Sequence, residues 1–257
     1  MTRWLRFARD GRIGFGVLED DRIVEHQGDM FADPAPTGAT VPLSEVEVLT
    51  PTVPSKMVAL WNNFHALARK LESPVPDEPL YFLKAPNSFV PDGHTVQRPR
   101  SYAGKVVYEG ELGIVIGHAC KEVSESDAEA CIFGYTCVND ITAVELINKD
   151  PTFAQWVRAK SFDGFGVFGP VVATGLDPAA LTVRTVLNGD ERQNYPVSDM
   201  VHPPARLVSL ISHDMTLLPG DVIACGTSLG VGSMKEPRNT VEVGIEGIGT
   251  LRTEFVQ

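Results

Sequence analysis

The fold prediction starts from one stretch, KVVYEGELGIVIG, residues 105–117. It is rich in β-branched and apolar residues and ends at a glycine. This pattern is typical of a β-strand. Side chains of a strand alternate between its faces, so Glu109 and Glu111 are expected to point one way, with Tyr108 and Leu112 on the other face. Two neighbouring carboxylates repel each other and need compensation. Taken alone, a solvated strand face is the simpler explanation, and the alternative is a hard divalent ion such as Mg²⁺, which prefers oxygen ligands.

A third carboxylate strengthens the metal hypothesis. Asp140 lies at the end of the otherwise apolar run YTCVNDITA, residues 135–143, which predicts another strand. A carboxylate is costly in such a run unless it is paired or bound to a ligand. The alternative is a turn or helix-cap role for Asn139 and Asp140, which is a common use of these residues. A carboxylate from a second element is what an open octahedral site requires.

Lys160 is the fourth candidate, in RAKSFDGFGVFGP, residues 158–170. The surrounding aromatic residues and glycines predict a packed loop rather than a solvated tail. A lysine beside acidic metal ligands would stay charged and could hold a substrate carboxylate or an enolate oxygen. An ordinary surface lysine is the alternative, but it fits this glycine-aromatic context less well.

The stretch ACGTSLGVGSM, residues 224–234, carries closely spaced glycines. Such glycines leave backbone N–H groups exposed to an anion, and Thr227 adds a hydroxyl donor. The G-x-x-x-x-G-K-[ST] pattern is absent, so the segment is not a nucleotide phosphate loop. By itself the glycine-rich turn is a weak indication.

Most of the remaining chain predicts strands and tight turns. RIGFGVLEDDRIVEH, residues 12–26, predicts a hairpin around Asp20 and Asp21, and Asn188-Gly189 is a second hairpin signal. Proline, glycine and small residues at 33–42 predict a linker. We therefore predict an α+β, β-rich protein with a small β-rich N-terminal region, residues 1–50, and a catalytic domain, residues 51–257.

Three short helices are also predicted. The first spans 62–72, with Asn62 or Asn63 as its N-cap and Pro74 beyond its end. The second opens at Ser124, which is followed three residues later by an aspartate. The third is amphipathic and ends near His213.

Composition narrows the class of protein. The net charge of −11 argues against binding to nucleic acid or to an anionic membrane surface. An anionic substrate remains compatible, because a pocket can be locally positive. The four cysteines form no C-x-x-C pair, and the chain has neither a signal-peptide-like start nor an apolar run long enough to span a membrane. These features predict a cytoplasmic protein.

Five stretches, which cover roughly residues 55–255, resemble the fumarylacetoacetate hydrolase family. The resemblance points to the branch of bacterial acylpyruvate hydrolases and 2-hydroxyhepta-2,4-diene-1,7-dioate isomerases. It implies a mixed β-roll catalytic domain, a homodimer and a bound Mg²⁺, with Mn²⁺ or Ca²⁺ as alternatives. The matching stretches, in chain order, are YFLKAPNSF, YEGELGIVIG, GYTCVNDITA, AKSFDGFGVFGP and LLPGDVIACGTSLGVG.

The resemblance assigns roles to seven residues, and His65 is added as a catalytic candidate from the sequence. It implies that the carboxylates hold the metal, that Lys160 faces the substrate, and that Thr227 lies near a substrate carboxylate beside Gly226. Lys84 matches a family lysine on the pocket side, although the family more often has K-P-x-S where this chain has K-A-P-N-S. The implied ligands are Glu109, Glu111 and Asp140, the catalytic candidates Lys160 and His65, and the substrate-binding residues Lys84, Gly226 and Thr227.

One departure concerns the water-activating pair of the family. Many members carry N-Y-x-x-H-x-x-E, and aligning Asn63 and Phe64 with N-Y places Leu67 and Lys70 at the histidine and glutamate positions. Neither can act as the same general base. His65 lies two residues early, which on a helix rotates its side chain by about 200°. It replaces the base only if the segment is not helical, and a half-buried or surface histidine is the alternative.

The chemistry implied by the resemblance starts from a small 2-oxo acid bound to the metal through its carboxylate and oxo oxygens. Hydrolysis of an acylpyruvate needs an activated water, decarboxylation of a β-oxo acid does not, and isomerisation needs a proton shuttle. The missing pair favours decarboxylation or isomerisation, as in homoprotocatechuate-type aromatic catabolism, over acylpyruvate (fumarylpyruvate-type) hydrolysis. A ligand-binding relative without activity is the non-enzymatic alternative, and the intact carboxylates and Lys160 argue against it.

Overall fold

The computed structural model describes all 257 residues, and strands dominate it. The 20 strands are β1 Thr2–Arg9, β2 Arg12–Glu19, β3 Arg22–Gln27, β4 Ala35–Pro42, β5 Glu47–Val48, β6 Met57–Trp61, β7 Leu80–Lys84, β8 Phe89–Val90, β9 Thr95–Gln97, β10 Val106–Tyr108, β11 Gly110–Ile116, β12 Ile132–Asp140, β13 Thr142–Ala143, β14 Gly166–Thr174, β15 Thr182–Leu187, β16 Asp190–Pro196, β17 Val222–Ala224, β18 Gly232–Ser233, β19 Arg238–Ile245 and β20 Gly249–Val256. The four α-helices are α1 His65–Lys70, α2 Glu125–Ala128, α3 Trp156–Lys160 and α4 Pro204–Asp214. Six 3₁₀ helices are Leu43–Glu45, Pro86–Ser88, Glu129–Cys131, Val144–Leu146, Pro178–Ala180 and Val197–Asp199.

A 12-stranded sheet forms the body of the molecule. Its order is β4-β3-β2-β1-β14-β12-β11-β17-β6-β7, with β5 beside β1 and β8 beside β14. The N-terminal strands join the rest through the antiparallel pair β1–β14, in which Thr2 lies opposite Thr174. The predicted β-rich α+β class is confirmed. The division at residue 50 stays a prediction.

Two smaller sheets complete the fold. The five-stranded sheet has the order β16-β15-β19-β20-β9, and the three-stranded sheet has the order β13-β10-β18. Strands β19 and β20 pack on β12 and β14, so the main core lies between the large sheet and the five-stranded sheet. The predicted turn between β15 and β16 is confirmed, since Asn188 and Gly189 both adopt positive φ, at 53° and 88°.

The predicted linker at 33–42 is wrong. Residues Ala35–Pro42 form β4, which pairs antiparallel with β3 and places Val41 opposite Ile23. Both apolar side chains are buried. The prolines are tolerated because β4 is an edge strand, which needs no second set of backbone hydrogen bonds.

The predicted strand 105–117 is in fact two strands that separate at Glu109. β10 belongs to the three-stranded sheet and β11 to the large sheet. Position 110 requires glycine, because a β-carbon there would lie 2.0 Å from Thr185 Oγ1. The simple alternation of one strand therefore does not hold across residue 109. Alternation alone does not explain why the two glutamates lie together.

The three predicted helices are present, but α1 is shorter than the predicted 62–72, and α3 reaches into the predicted loop. Ser124 caps α2 as predicted, with its hydroxyl accepting from Asp127 N at 3.2 Å. Helix α4 ends at Asp214, one residue beyond the predicted His213. Helix α1 begins after Phe64 without a side-chain cap, so the capping role predicted for Asn62 or Asn63 is wrong. No helix combines the length and the apolar character that crossing a membrane requires.

Candidate metal centre

Three carboxylates meet where β11 and β12 pair. Glu109 precedes β11, Glu111 is its second residue, and Asp140 ends β12. The antiparallel register places Glu111 opposite Val138, and Asp140 N donates to Glu109 O at 2.9 Å. One ligand oxygen from each of the three carboxylates lies within 4.8 Å of the others. The residues predicted as ligands are thus brought together.

The carboxylates are almost completely removed from water. Glu111 and Asp140 are 0% exposed, and the side chain of Glu109 is 13% exposed. Thr142 Oγ1 donates to Glu109 Oε1 at 3.2 Å, and Gly226 N donates to Glu111 Oε2 at 2.9 Å. A solvated strand face, the simpler explanation of the glutamate pair, is therefore wrong.

Lys160 lies between two of the carboxylates. Its Nζ is 2.6 Å from Glu109 Oε2 and 2.6 Å from Asp140 Oδ2, and it lies 5.1 Å from the centroid of the Phe82 ring. The side chain is buried, although it belongs to the last turn of α3 rather than to the predicted loop. Burial alone would lower its pKa, but the charges of Asp140 and Glu109 outweigh burial and raise the pKa above its ordinary value. Lys160 is therefore a fixed positive charge.

Lys84 is the second buried ammonium. It ends β7, and its Nζ lies 2.5 Å from Asp140 Oδ1 and 2.5 Å from the carbonyl oxygen of Lys160. Burial lowers its pKa, and the charge of Asp140 offsets this only in part. Burial alone would raise the pKa of the Asp140 carboxyl. The charges of Lys160 and Lys84 outweigh burial and lower this pKa below its ordinary value. In this structure Lys84 thus pairs with a predicted metal ligand.

The set of donor oxygens at the centre fits a divalent cation. Three carboxylates face two ammonium groups, and Glu111 Oε1 is buried without any hydrogen-bond partner. Burial, followed by the charges of Asp140 and Glu109, raises the pKa of Glu111 well above its ordinary value. An unpartnered, buried carboxylate oxygen beside two further carboxylates is the donor set that Mg²⁺, Mn²⁺ or Ca²⁺ accepts.

The glycine-rich segment lies along β11. Gly226 adopts a φ of 86°, and its N–H is the donor to Glu111. Thr227 Oγ1 donates to Gly110 O at 3.0 Å and accepts from Gln193 Nε2 at 2.8 Å. The predicted substrate-binding pair, Gly226 and Thr227, thus adjoins the centre, while the substrate role of both residues stays a prediction.

Sequence reasoning missed the residues of β16 that support this segment. Gln193 Oε1 accepts from Gly110 N at 3.0 Å, and Tyr195 OH donates to Gly110 O at 2.6 Å. Both side chains are buried. Their alternate spacing on one strand is a local signal for a shared face, but only the tertiary fold connects that face to the glutamates.

Helix α1 does not join the centre. His65 is its first residue, is half-buried, and makes no hydrogen bond or ion pair through its ring. Leu67 packs against the core and Lys70 is exposed. The segment is helical, so the condition under which His65 would replace the missing base is not met, and its catalytic role stays a prediction.

Known proteins share this architecture. Residues 56–256 match the family described as fumarylacetoacetate (FAA) hydrolase, C-terminal, and residues 2–51 match one described as Rv2993c-like, N-terminal. The 4-hydroxyphenylacetate degradation bifunctional isomerase/decarboxylase of Escherichia coli is 37% identical over 227 residues, which are 83% of this chain and 51% of that protein. The predicted resemblance is confirmed.

Solved structures show the same likeness. The 2-hydroxyhepta-2,4-diene-1,7-dioate isomerase of Mycobacterium marinum is 36% identical with a TM-score of 0.90, covering 100% of this chain and 98% of that chain. The maleylpyruvate hydrolase of Sphingobium sp. SYK-6, solved with manganese (II) ion and pyruvate, is 28% identical with a TM-score of 0.78 over 99% of both chains. These relatives are isomerases, decarboxylases and hydrolases, and enzymes of this kind depend on a divalent metal. The match across most of the sequence and the shared fold show that this chain belongs to the fumarylacetoacetate hydrolase family.

Proposed function

We propose that this protein is a divalent-metal-dependent enzyme that acts on a small, enolisable 2-oxo mono- or dicarboxylic acid. One observation carries the proposal: Glu109, Glu111 and Asp140 converge in a buried site with an unpartnered carboxylate oxygen, and Lys160 is held beside them. A buried carboxylate oxygen without a partner is uncommon in a purely structural ion-pair network, and a bound cation would supply the missing partner.

The three carboxylates would hold the ion, with Mg²⁺ as the first choice and Mn²⁺ or Ca²⁺ as alternatives. When bound, a divalent ion supplies Lewis-acid stabilisation of an enolate. Lys160 adds a permanent positive charge, which suits binding of a substrate carboxylate or an enolate oxygen. The surrounding apolar side chains, Phe82 among them, exclude water and strengthen both charge interactions.

Decarboxylation or isomerisation in aromatic-compound catabolism is the reaction that we favour. Hydrolysis needs a base that activates water, and α1 offers Leu67 and Lys70 where the family pair would stand. Two relatives support this choice by name, the isomerase/decarboxylase of Escherichia coli and the isomerase of Mycobacterium marinum.

Hydrolysis of a fumarylpyruvate-type C–C bond is the second candidate. The full-length likeness to the maleylpyruvate hydrolase of Sphingobium supports it. A ligand-binding relative without activity is the third. It is disfavoured because Lys84, Lys160 and all three carboxylates are kept in a geometry that a decayed site has no reason to preserve.

We further propose a cytoplasmic homodimer. Exposed apolar side chains surround the edge strand β7 and the helix α3 that packs on it, namely Leu80, Leu83, Phe153 and Val157. Exposed apolar side chains at an unpaired sheet edge favour an interface with a second copy of the chain. Light scattering after gel filtration should give twice the chain mass of 27.9 kDa, and a monomer would contradict the dimer.

The function is tested with a panel of acylpyruvates, oxaloacetate and hydroxymuconate-type diacids in Mg²⁺. We expect turnover of at least one 2-oxo acid, loss of turnover in EDTA, and recovery when Mg²⁺ is added back. Carbon dioxide release indicates decarboxylation, a shifted double bond indicates isomerisation, and two shorter acids indicate hydrolysis. Turnover that persists unchanged in EDTA would overturn the metal proposal.

A further inference from the structure

Residues of β6, β7 and α3 line an apolar cavity of about 410 Å³, which the chemistry at the metal centre leaves unused. The lining residues are Trp61, Pro79, Leu80, Tyr81, Phe82 and Trp156. None of these side chains is charged at neutral pH. Cavities of about 300–1,000 Å³ with apolar and aromatic walls are typical of sites for small molecules. The cavity therefore suits an uncharged group of a ligand.

Three aromatic rings form one wall of this cavity. The ring centroids of Trp61 and Trp156 lie 5.4 Å apart, and Trp156 stacks on Phe82 at 5.3 Å with an angle of 15° between the planes. Phe82 is buried, whereas Trp61 is 38% exposed. Because part of the Trp61 indole is open, it can accept a further ring in a stacked or edge-to-face contact.

The aromatic wall adjoins the carboxylate centre through Phe82. Lys160 Nζ lies 5.1 Å from the centroid of the Phe82 ring, and the same nitrogen contacts Glu109 and Asp140. Trp156 lies four residues before Lys160 on α3, so the two side chains stand on one side of the helix. A substrate that meets Lys160 is therefore one ring away from the cavity.

Strand pairing places the wall and the centre on one face of the large sheet. Phe82 and Lys84 are two residues apart on β7, so they share a face, and Lys84 Nζ reaches Asp140. Ala59 lies opposite Phe82 in the antiparallel register, and Trp61 follows Ala59 by two residues within β6. Trp61 is therefore on the same face as the ion pair between Lys84 and Asp140.

We propose that this cavity binds the tail of the 2-oxo acid substrate, and that the tail is an uncharged aromatic or conjugated group. This inference rests on the proposed function, because the oxo acid end of the same substrate occupies the metal centre. A second carboxylate in the cavity would lose its water without gaining a cationic partner, which is costly. The substrate class is thus a monocarboxylic 2-oxo acid with a flat apolar tail. Trp61 and Trp156 determine this specificity without contacting the reacting atoms.

Titration calorimetry on the Mg²⁺-loaded protein with two probes tests the inference. Oxamate mimics the 2-oxo acid end alone, and N-phenyloxamate adds a phenyl tail. The wild type should bind N-phenyloxamate about tenfold to a hundredfold more tightly than oxamate, as expected when a ring is buried. A para-carboxylate on that ring should remove the gain, because the cavity offers no cation.

Variants at Trp61 separate the tail from the oxo acid end. W61A should reduce the preference for N-phenyloxamate about threefold to tenfold, because one stacking partner is lost. Its affinities for Mg²⁺ and for oxamate should equal those of the wild type, which a general loss of structure would not allow. W61F keeps a ring and should retain most of the preference. F153A is the matched control, because Phe153 precedes α3, is 71% exposed and does not line the cavity. It should bind both probes like the wild type.

Equal affinities of the wild type for oxamate and N-phenyloxamate would overturn the inference and leave the proposed function standing. An unchanged preference in both W61A and W156A would do the same, and so would undiminished binding of the para-carboxylate probe. Light scattering that shows a monomer for W61A, with the preference unchanged, would assign the cavity to the dimer interface instead. If the wild type with Mg²⁺ binds neither probe, the proposed function falls and the inference falls with it.

Discussion

The carboxylate centre and helix α1 differ in how the fold holds them. Glu111, Asp140 and Lys84 are completely buried and tied to each other or to backbone groups from β7, β11 and the glycine-rich segment. Helix α1 has six residues, one of them fully buried, and Lys70 on its surface is free of partners. Many contacts therefore fix the side chains of the carboxylate centre. Few contacts constrain the side chains of α1, where the family carries its water-activating pair.

The largest effect is expected from breaking the centre. Asp140→Ala should abolish metal-dependent turnover, by at least about a thousandfold, roughly 4 kcal/mol. It should also lower the free energy of unfolding by about 3–5 kcal/mol, because Lys84 and Lys160 lose their buried partner. Mg²⁺ titration, steady-state kinetics and urea denaturation measure the two effects.

Asp190→Ala is the control for that variant. Its carboxylate is 71% exposed and pairs only with Arg192, so turnover and stability should stay near the wild-type values. Retained Mg²⁺ binding in Asp140→Ala would remove this residue from the ligand set.

Lys160→Met separates metal binding from chemistry. The variant removes an ammonium that contacts two predicted ligands, so Mg²⁺ affinity should be kept or increased. We expect kcat to fall about a hundredfold, roughly 2.7 kcal/mol, because the oxyanion loses its charged partner. Calorimetry measures the affinity for Mg²⁺, and kinetics at saturating Mg²⁺ measure kcat. A weaker Mg²⁺ affinity with unchanged kcat would argue for a purely structural lysine.

A double substitution in α1 tests whether this helix can supply the missing base. Leu67→His with Lys70→Glu rebuilds the family pair on adjacent turns of the helix. If the absent base limits hydrolysis, acylpyruvate cleavage should rise about tenfold, which is below the contribution of about a hundredfold or more that is usual for a general base. Lys70→Glu alone is the control, and cleavage that does not rise in the double variant would show that α1 does not reach the substrate.

The smallest effect is expected at His65. His65→Ala should change kcat by less than about tenfold, under 1.4 kcal/mol, because the ring makes no hydrogen bond or ion pair. A loss greater than about a hundredfold would instead identify His65 as the missing base. The pH–rate profiles of the variant and the wild type distinguish a lost base from a local packing change.

Local patterns predicted a large part of the fold. The hairpin at Asn188-Gly189, the cap at Ser124 and the end of α4 depend on residues close together in the chain, and each is confirmed. Other features depended on distant partners. Residues 35–42 form a strand because β3 is available to pair, and the run at 105–117 is divided at Glu109 because β10 and β11 pair with strands of different sheets.

The same distinction applies to the site. By itself, the sequence determined which side chains carry charge at the ends of apolar strands, and burying Glu111 or Asp140 without a partner is so costly that their clustering was predictable. Only the tertiary structure decided the partners. Lys160 reaches Glu109 across 51 residues and Lys84 reaches Asp140 across 56, while Gln193 donates to Thr227 Oγ1 across 34 residues. Strand pairing and helix packing set these distances, and a buried polar atom takes whichever partner the fold brings within hydrogen-bond range.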